Sequence, residues 1–370
     1  MECSQKPMWR NKTWEDIKNL TILCPSEDGF RQVLSRWDSI GKPLDGMGYF
    51  EGLIGQIGAI QGTAKVDLSK KAVIILCGDN GIVEEGISQS GQEITVMVMK
   101  AMAKGQSSVG KMAKIAGIDT IPVDIGVNCE EKIPGVAERK IRLGTRNFKT
   151  EPAMTEEEVA AAVFTGIQLV SDCREKGYKI LGVGEMGIGN TTTSSAVTAA
   201  LLGCDAKDVT GRGAGLSDEK LLHKQQVIED AIDKYGLKHK DAFQILRTVG
   251  GLDMAGIAGV CIGGALYHVP IVLDGVITLA SALAAERMVP GVKSYLIPSH
   301  QGREPAAEKL LSALALIPVI HGAMALGEGT GAVMMMALLD MALGIYGDGT
   351  TFSDMEIEPY KRPQTRQIIV

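Results

Sequence analysis

Two glutamates stand apart because glycines surround them. Glu328 lies in Leu326-Gly-Glu-Gly-Thr-Gly-Ala332, directly before the apolar run Val333-Met-Met-Met-Ala-Leu-Leu339. Its neighbours Gly327 and Gly329 have no side chains to shield a carboxylate, and the apolar run predicts a buried helix start. Burial raises a carboxyl pKa and a helix N-terminus lowers it, so the two together can tune a base for neutral pH. An acid that merely caps the helix is the competing reading. Glu185 lies in Gly182-Val-Gly-Glu-Met-Gly-Ile-Gly-Asn-Thr-Thr-Thr-Ser-Ser195, between the apolar run Lys179-Ile-Leu-Gly182 and Ala196-Val-Thr-Ala-Ala-Leu-Leu202. That order predicts a strand, a glycine-rich turn and a helix. Gly187 and Gly189 admit a ligand close to the backbone, and Asn190 to Thr193 are expected to cap the helix. A helix start of this kind suits a phosphate, although tight strand-to-helix packing needs glycine too.

These residues need a frame, and the chain supplies alternating strand-like and helix-like segments from about residue 70. Ala72-Val-Ile-Ile-Leu-Cys77 and Thr120-Ile-Pro-Val-Asp-Ile-Gly126 read as strands flanking a helical segment from about Thr95 to Ala116. Thr155-Glu-Glu-Glu158 has the spacing of a capping box, continued at helical period by Val159, Val163, Ile167 and Val170. Further strands are expected at Val269–Asp274 and Ser294–His300. Strands separated by such helices predict right-handed βαβ units and a mainly parallel α/β sheet. Ligands of these sheets sit beyond the carboxyl ends of the strands, where this chain places Asp79 and Asn80, Asp124, Glu185, Asp274, and Ser299 with His300. Each is also a common turn former, but five such ends favour one shared pocket. His300 and His321 read as structural. The expected division is a large domain over 70–320, a small helical domain from 1–69 and 321–350, and a polar tail over 351–370, polar from about Gly347.

Bulk properties exclude several classes. The net charge of −6, with no compensating basic block, argues against nucleic acid as a partner. The seven cysteines are scattered and never spaced as Cys-x-x-Cys, and the five histidines are equally dispersed. Neither a disulfide framework nor a zinc site is indicated. The apolar stretches around 254–285 and 313–346 are interrupted by polar residues and read as core rather than membrane spans. The first ten residues contain no apolar signal segment, and a reducing cytoplasm is the expected compartment.

Together the Glu185 and Glu328 loops, Leu273-Asp-Gly275 and Tyr295-Leu-Ile-Pro-Ser-His300 resemble the nicotinate-nucleotide:dimethylbenzimidazole phosphoribosyltransferase family. Cys77-Gly-Asp-Asn-Gly81 with Glu85-Gly86, Val123-Asp-Ile-Gly126, Ile133-Pro-Gly135, and Val249-Gly-Gly251 with Asp253 extend the match from about Lys42 to Ile345. The resemblance implies a Rossmann-like parallel sheet, a small domain from both termini and a homodimer. It implies transfer of phosphoribosyl from nicotinate mononucleotide to a benzimidazole-type base, giving the α-ribazole phosphate of the cobalamin lower ligand, without metal or cofactor. Glu328 falls on the family's proton acceptor and Glu185 on its second glutamate, expected against the ribose, where its charge would favour oxocarbenium character. Gly187, Gly189, Asn190 and Thr191 match the phosphate and ribose loop, Gly213 and Lys224 a further nucleotide segment, with Lys224 supplying charge for the phosphate. Asp274 and Leu326 stand in matched motifs, and Ser90, Thr95 and Val98 align with the base-facing segment.

The chain also departs from the family. Asn80 stands where a histidine is common, Gly215 where an asparagine is, and Val98 where some relatives carry glutamine; the N-terminal motif reads Lys42-Pro-Leu-Asp-Gly-Met-Gly48. The accepted base is therefore open. Two alternatives are the same transfer to a phenol or purine, with a heteromer as one form of it, and a non-catalytic nucleotide-binding partner subunit. Retention of both glutamates speaks against the last.

Overall fold

Ala72 to Cys77 is apolar on both faces of a strand, and all six residues are fully buried. Such a strand belongs in the middle of a parallel sheet covered on both sides. The computed structural model describes residues 13–361. It contains a six-stranded sheet, parallel throughout, in the order β3-β2-β1-β4-β5-β6. The strands are β1 (Lys71–Gly78), β2 (Asp119–Gly126), β3 (Ala137–Glu138), β4 (Ile180–Met186), β5 (Ile271–Leu273) and β6 (Leu296–Pro298). The winding direction reverses between β1 and β4, which pair from Lys71↔Ile180 to Cys77↔Met186. A reversal of this kind opens a crevice at the carboxyl ends of the two strands.

Helices α1 (Trp14–Lys18), α2 (Glu27–Ser39) and α3 (Tyr49–Gln61) precede the sheet, and α4 (Glu93–Ala103) and α5 (Ser108–Ala116) link β1 to β2. The single helix expected over Thr95–Ala116 is thus two. The chain turns at Gly105, with φ of +64°, and restarts where the Ser107 hydroxyl accepts the Gly110 N–H. Helix α6 (Glu156–Glu175) begins at the expected capping box: Thr155 Oγ1 accepts the Glu158 N–H and Glu158 accepts the Thr155 N–H. Between β4 and β5 run α7 (Asn190–Leu202), α8 (Asp218–Tyr235), α9 (Ala242–Val249) and α10 (Leu252–Tyr267). Helix α11 (Val276–Met288) joins β5 to β6, and α12 (Ala306–Leu314) and α13 (Thr330–Asp348) follow.

Alternation along β1 divides the core. Ala72, Ile74 and Leu76 face a layer that includes α6, α10 and α11, while Val73, Ile75 and Cys77 face α2, α3 and α13. Helices from the two ends of the chain therefore meet on one face, where Trp37 of α2 and Tyr346 of α13 lie 5.2 Å apart, centroid to centroid. Helix α13 is 19 residues long and, by length and composition, apolar enough to cross a membrane, but half of it is buried against the rest of the protein. Beyond it Thr351 bridges to Ile40 and Phe352 is buried, so the start of the expected polar tail is packed, while residues 353–361 are exposed and 362–370 lie outside the described residues. On the other face α6 and α10 touch backbone to backbone. A Cβ on Gly259 would lie 1.9 Å from the Val163 carbonyl oxygen, and one on Gly166 2.1 Å from that of Gly256.

Gly259→Ala should destabilise the protein by about 1–3 kcal/mol, the usual cost of overpacking. Gly344→Ala, on α13 with nothing within 4 Å of the added carbon, should instead stabilise it by roughly 0.5–1 kcal/mol. Denaturant melts of both variants check this; equal effects would refute the direct helix contact.

Candidate active site

Glu185 is the penultimate residue of β4, and the strand reaches this point beside glycines that other backbone needs to approach. A Cβ on Gly184 would stand 2.5 Å from the Gly329 nitrogen, and one on Gly187 2.1 Å from the Gly78 carbonyl oxygen. The turn after β4 is thus wedged between the end of β1 and the Glu328 loop. Gly189, with φ of +95°, forms the N-cap of α7 and no side chain caps it. The expected cap residues do other work. Asn190 is the first helical residue, and its amide donates to Glu185 Oε2 and, at 3.2 Å, to Asp253 Oδ2. Thr193 donates to Asn80 Oδ1 at 3.1 Å. Asp79 accepts the Thr95 hydroxyl at 2.6 Å, and Thr95 in turn accepts the Ile188 N–H at 3.1 Å, which fixes the turn from below.

Burial and the nearby Asp253 push the Glu185 carboxyl up to about 8. Burial also pushes Asp253 up to about 7, although the Asn190 amide pulls the other way. A fixed negative charge, as the resemblance led one to expect at Glu185, is disfavoured by these surroundings at neutral pH.

The second glutamate sits in strained backbone. Gly327, Glu328 and Gly329 all have left-handed φ, at +77°, +61° and +90°. Asp274, two per cent exposed at the end of β5, holds this loop. It accepts the Gly329 N–H at 3.0 Å on one oxygen and the Gly331 N–H at 2.7 Å on the other. Burial pushes the Asp274 carboxyl up, opposed by His300 and by the backbone donors. Gly331 leaves room for that histidine, since a Cβ there would fall 2.2 Å from His300 Nδ1. The sequence suggested that Glu328 would feel the start of α13. Instead its Oε2 accepts the Val109 N–H, in the first turn of α5, at 3.1 Å. The carboxylate is part-exposed, not buried.

Both loops open onto one cavity of about 320 Å³ at the carboxyl edge of the sheet. Glu185, Gly187, Gly189, Asn190 and Thr191 form one wall; Asp274, Leu326 and Glu328 form another; Gly213 and Val98 complete the predicted set. Two predicted residues stand outside it. Lys224 is one per cent exposed and lies behind the wall, donating to Thr191 Oγ1 at 3.0 Å and the Gly211 carbonyl at 3.3 Å. Burial pulls its pKa down to about 8, against Glu304. Ser90 is exposed and away from the lining, where Ser88 and Gln89 stand instead. Asp124, expected with the other strand ends, is turned aside into an ion pair with Lys140 at 2.7 Å. Sequence reasoning missed Arg212 and Glu304, and it treated His300 as structural; all three line the cavity. Arg212 had a signal, since it is flanked by glycines in Gly211-Arg-Gly213. A larger, more apolar cleft of about 590 Å³ between α3 and α12 gathers none of the strand-end carboxylates. Among the described residues no group of three or more His, Cys, Asp or Glu side chains is placed to hold a metal ion.

Residues 22–357 match a family model described as phosphoribosyltransferase. The nicotinate-nucleotide–dimethylbenzimidazole phosphoribosyltransferase of Acetivibrio thermocellus is 43% identical over 329 residues, covering 89% of this chain and 94% of that one. Its namesake from Ruminiclostridium cellulolyticum is 39% identical over 345 residues, covering 93% and 97%. The crystal structure of CobT from Thermus thermophilus superposes with a TM-score of 0.85 at 36% identity, over 90% of this chain and all of that one.

Asp274→Ala removes the acceptor for both loop N–H groups, with a stability loss of about 1–2 kcal/mol in line with a lost helix cap. Amide hydrogen exchange should rise at residues 327–331 well beyond the global change. Unaltered exchange there would show that something else holds the loop.

Proposed function

This chain belongs to the nicotinate-nucleotide:dimethylbenzimidazole phosphoribosyltransferase family, and we propose that it transfers phosphoribosyl from nicotinate mononucleotide to a benzimidazole-type base. One observation carries this reading. The Glu328 carboxylate is held by the Val109 N–H on one oxygen, and it faces the same 320 Å³ cavity as the glycine turn after β4. A base and an anion-binding turn thus address one volume.

The chemistry needs little else. Nicotinate leaves from a pyridinium already positive at nitrogen, so departure requires no general acid. The incoming base must lose a proton as it attacks ribose C1 from the opposite face, and Glu328 is the acceptor for it. The turn from Gly187 to Thr191 and the loop at Gly213 receive the ribose and 5′-phosphate. Lys224 contributes by donating to the Thr191 hydroxyl from behind, which leaves the hydroxyl proton free to turn toward a phosphate oxygen. Val98 and Leu326 supply apolar surface for the ring of the base.

The terminal helices α2, α3 and α13 read as a small domain. Met334, Met341 and Ile345 on α13 are 37%, 69% and 40% exposed, which supports a homodimer. The six described cysteines are all free, in keeping with a reducing, cytoplasmic setting.

Glu328→Gln and Glu328→Ala should each cut turnover by about a hundredfold or more while nicotinate mononucleotide still binds. Steady-state rates and calorimetry on the folded variants check this; near-normal turnover would remove Glu328 from the mechanism. Competition between dimethylbenzimidazole, a cresol and adenine in one reaction tests the acceptor side. An apolar Val98 wall leaves extra polar edges unpaired, so products should rank benzimidazole first and adenine last. Adenine in front would overturn the Val98 argument, and exclusive reaction of the cresol would make the chain a phenol-activating enzyme.

A further inference from the structure

Asp253 is fully buried in the first turn of α10, and neither the transfer chemistry nor the cavity lining involves it. Its carboxylate nevertheless shares a single amide with Glu185: Asn190 Nδ2 gives one hydrogen to each. An amide has two N–H donors and no more, so two buried carboxylates divide one donor group. The other charged groups around them give no relief. Asp274 and Glu328 face Glu185 from the ends of β5 and the α13 loop, and Asp79 faces Asp253 from the end of β1. On the cationic side, Lys140 is paired with Asp124, Arg212 with Asp218, Lys224 donates to Thr191 and Gly211, and His300 lies against Asp274. Cys77, on the neighbouring strand, is a thiol that burial keeps protonated.

Two adjacent carboxylates without a cation retain a proton between them, and the geometry decides where it resides. Asp253 also accepts the Met254 N–H at 2.9 Å, and it sits at a helix start, where partial positive charge collects. Glu185 has only the Asn190 amide, on Oε2. Its Oε1 lies against Gly327, 2.8 Å from where a Cβ would be, and among the described residues no donor reaches it. Asp253 thus has the donors that hold charge, and Glu185 has the free oxygen that holds a proton.

We propose that Asp253 is a positioning residue: through the shared Asn190 amide it keeps Glu185 protonated, so that Glu185 meets the nucleotide as a hydrogen-bond donor rather than as an anion. This rests on the transferase reading for its use, though not for the proton itself. A neutral Glu185 also spares the Glu328 loop, one glycine away, a second negative charge while Glu328 takes a proton from the incoming base.

The test uses the full-length protein with its glutamates labelled at the side-chain carboxyl carbon. The Glu185 resonance is assigned by its loss in Glu185→Gln. In the ligand-free wild type Glu185 should titrate above pH 7. In Asp253→Asn the like charge is gone, and the midpoint should fall by one unit or more; Asp253→Ser serves if the first variant does not fold. In turnover with nicotinate mononucleotide and dimethylbenzimidazole, Glu185→Gln, which keeps a donor, should exceed Glu185→Ala at least tenfold. A Glu185 already ionised at pH 6, or a midpoint unmoved in both Asp253 variants, overturns the proposal. So does equal loss in the two Glu185 variants. Absence of turnover in the wild type would refute the transferase reading alone, because the titration needs no catalysis.

Discussion

The carboxylate of Asp274 is the pin on which the cavity hangs. Three successive residues in left-handed backbone, one of them not glycine, do not persist without support. For Glu328 alone the conformation costs about 1–2 kcal/mol. Two hydrogen bonds from Gly329 and Gly331 to the buried carboxyl, at roughly 0.5–1.5 kcal/mol each, offset that cost and leave the loop in one place. The pin works only because β5 ends there and because Gly184 and Gly331 leave the loop room against β4 and His300. The strand order puts β4 beside β5 and β1 beside β4, so the loop pinned at the end of β5 lies next to the turn that follows β4.

Within that frame the two glutamates are set apart by their surroundings rather than their type. Glu185 is enclosed, shares one amide with a second acid and is pushed up to about 8. Glu328 is open to the cavity and rests on the N-terminus of α5. Pairs of acids in contrasting environments are how a site assigns different tasks to the same side chain. The glycines follow from the same need. They stand where a second backbone comes within contact distance, as at Gly184 and Gly187, or where φ is positive, as at Gly189 and Gly327.

Much of this was legible beforehand. β1, β4 and the turn into α7 are written in local pattern, an apolar run followed by glycines, and the Thr155–Glu158 box marked the start of α6 to the residue. The break between α4 and α5 was missed because Ala-Lys-Gly-Gln-Ser107 lies inside a run that is otherwise helical in period. Glycine and a serine cap outweighed the propensity around them. Side-chain destinations were the harder part. Nothing local says that Asn190 would bridge two acids instead of capping, since Asp253 is 63 residues away. For the same reason, sequence spacing alone could not show that Lys224 stops at Thr191 or that Glu328 meets α5 rather than α13. Ser90 was taken from a matched motif, and the chain turns so that Ser88 and Gln89 face inward.

We propose that Glu328, held in place by Val109 and the Asp274 pin, faces the reacting base. A crystal structure of the protein with dimethylbenzimidazole bound tests it most directly. A ring nitrogen is expected at about 2.6–3.2 Å from a Glu328 carboxylate oxygen, with the Val109 bond kept and the ring against Val98 and Leu326. A base lodged elsewhere, or a Glu328 carboxylate swung away from both ring nitrogens, would contradict it.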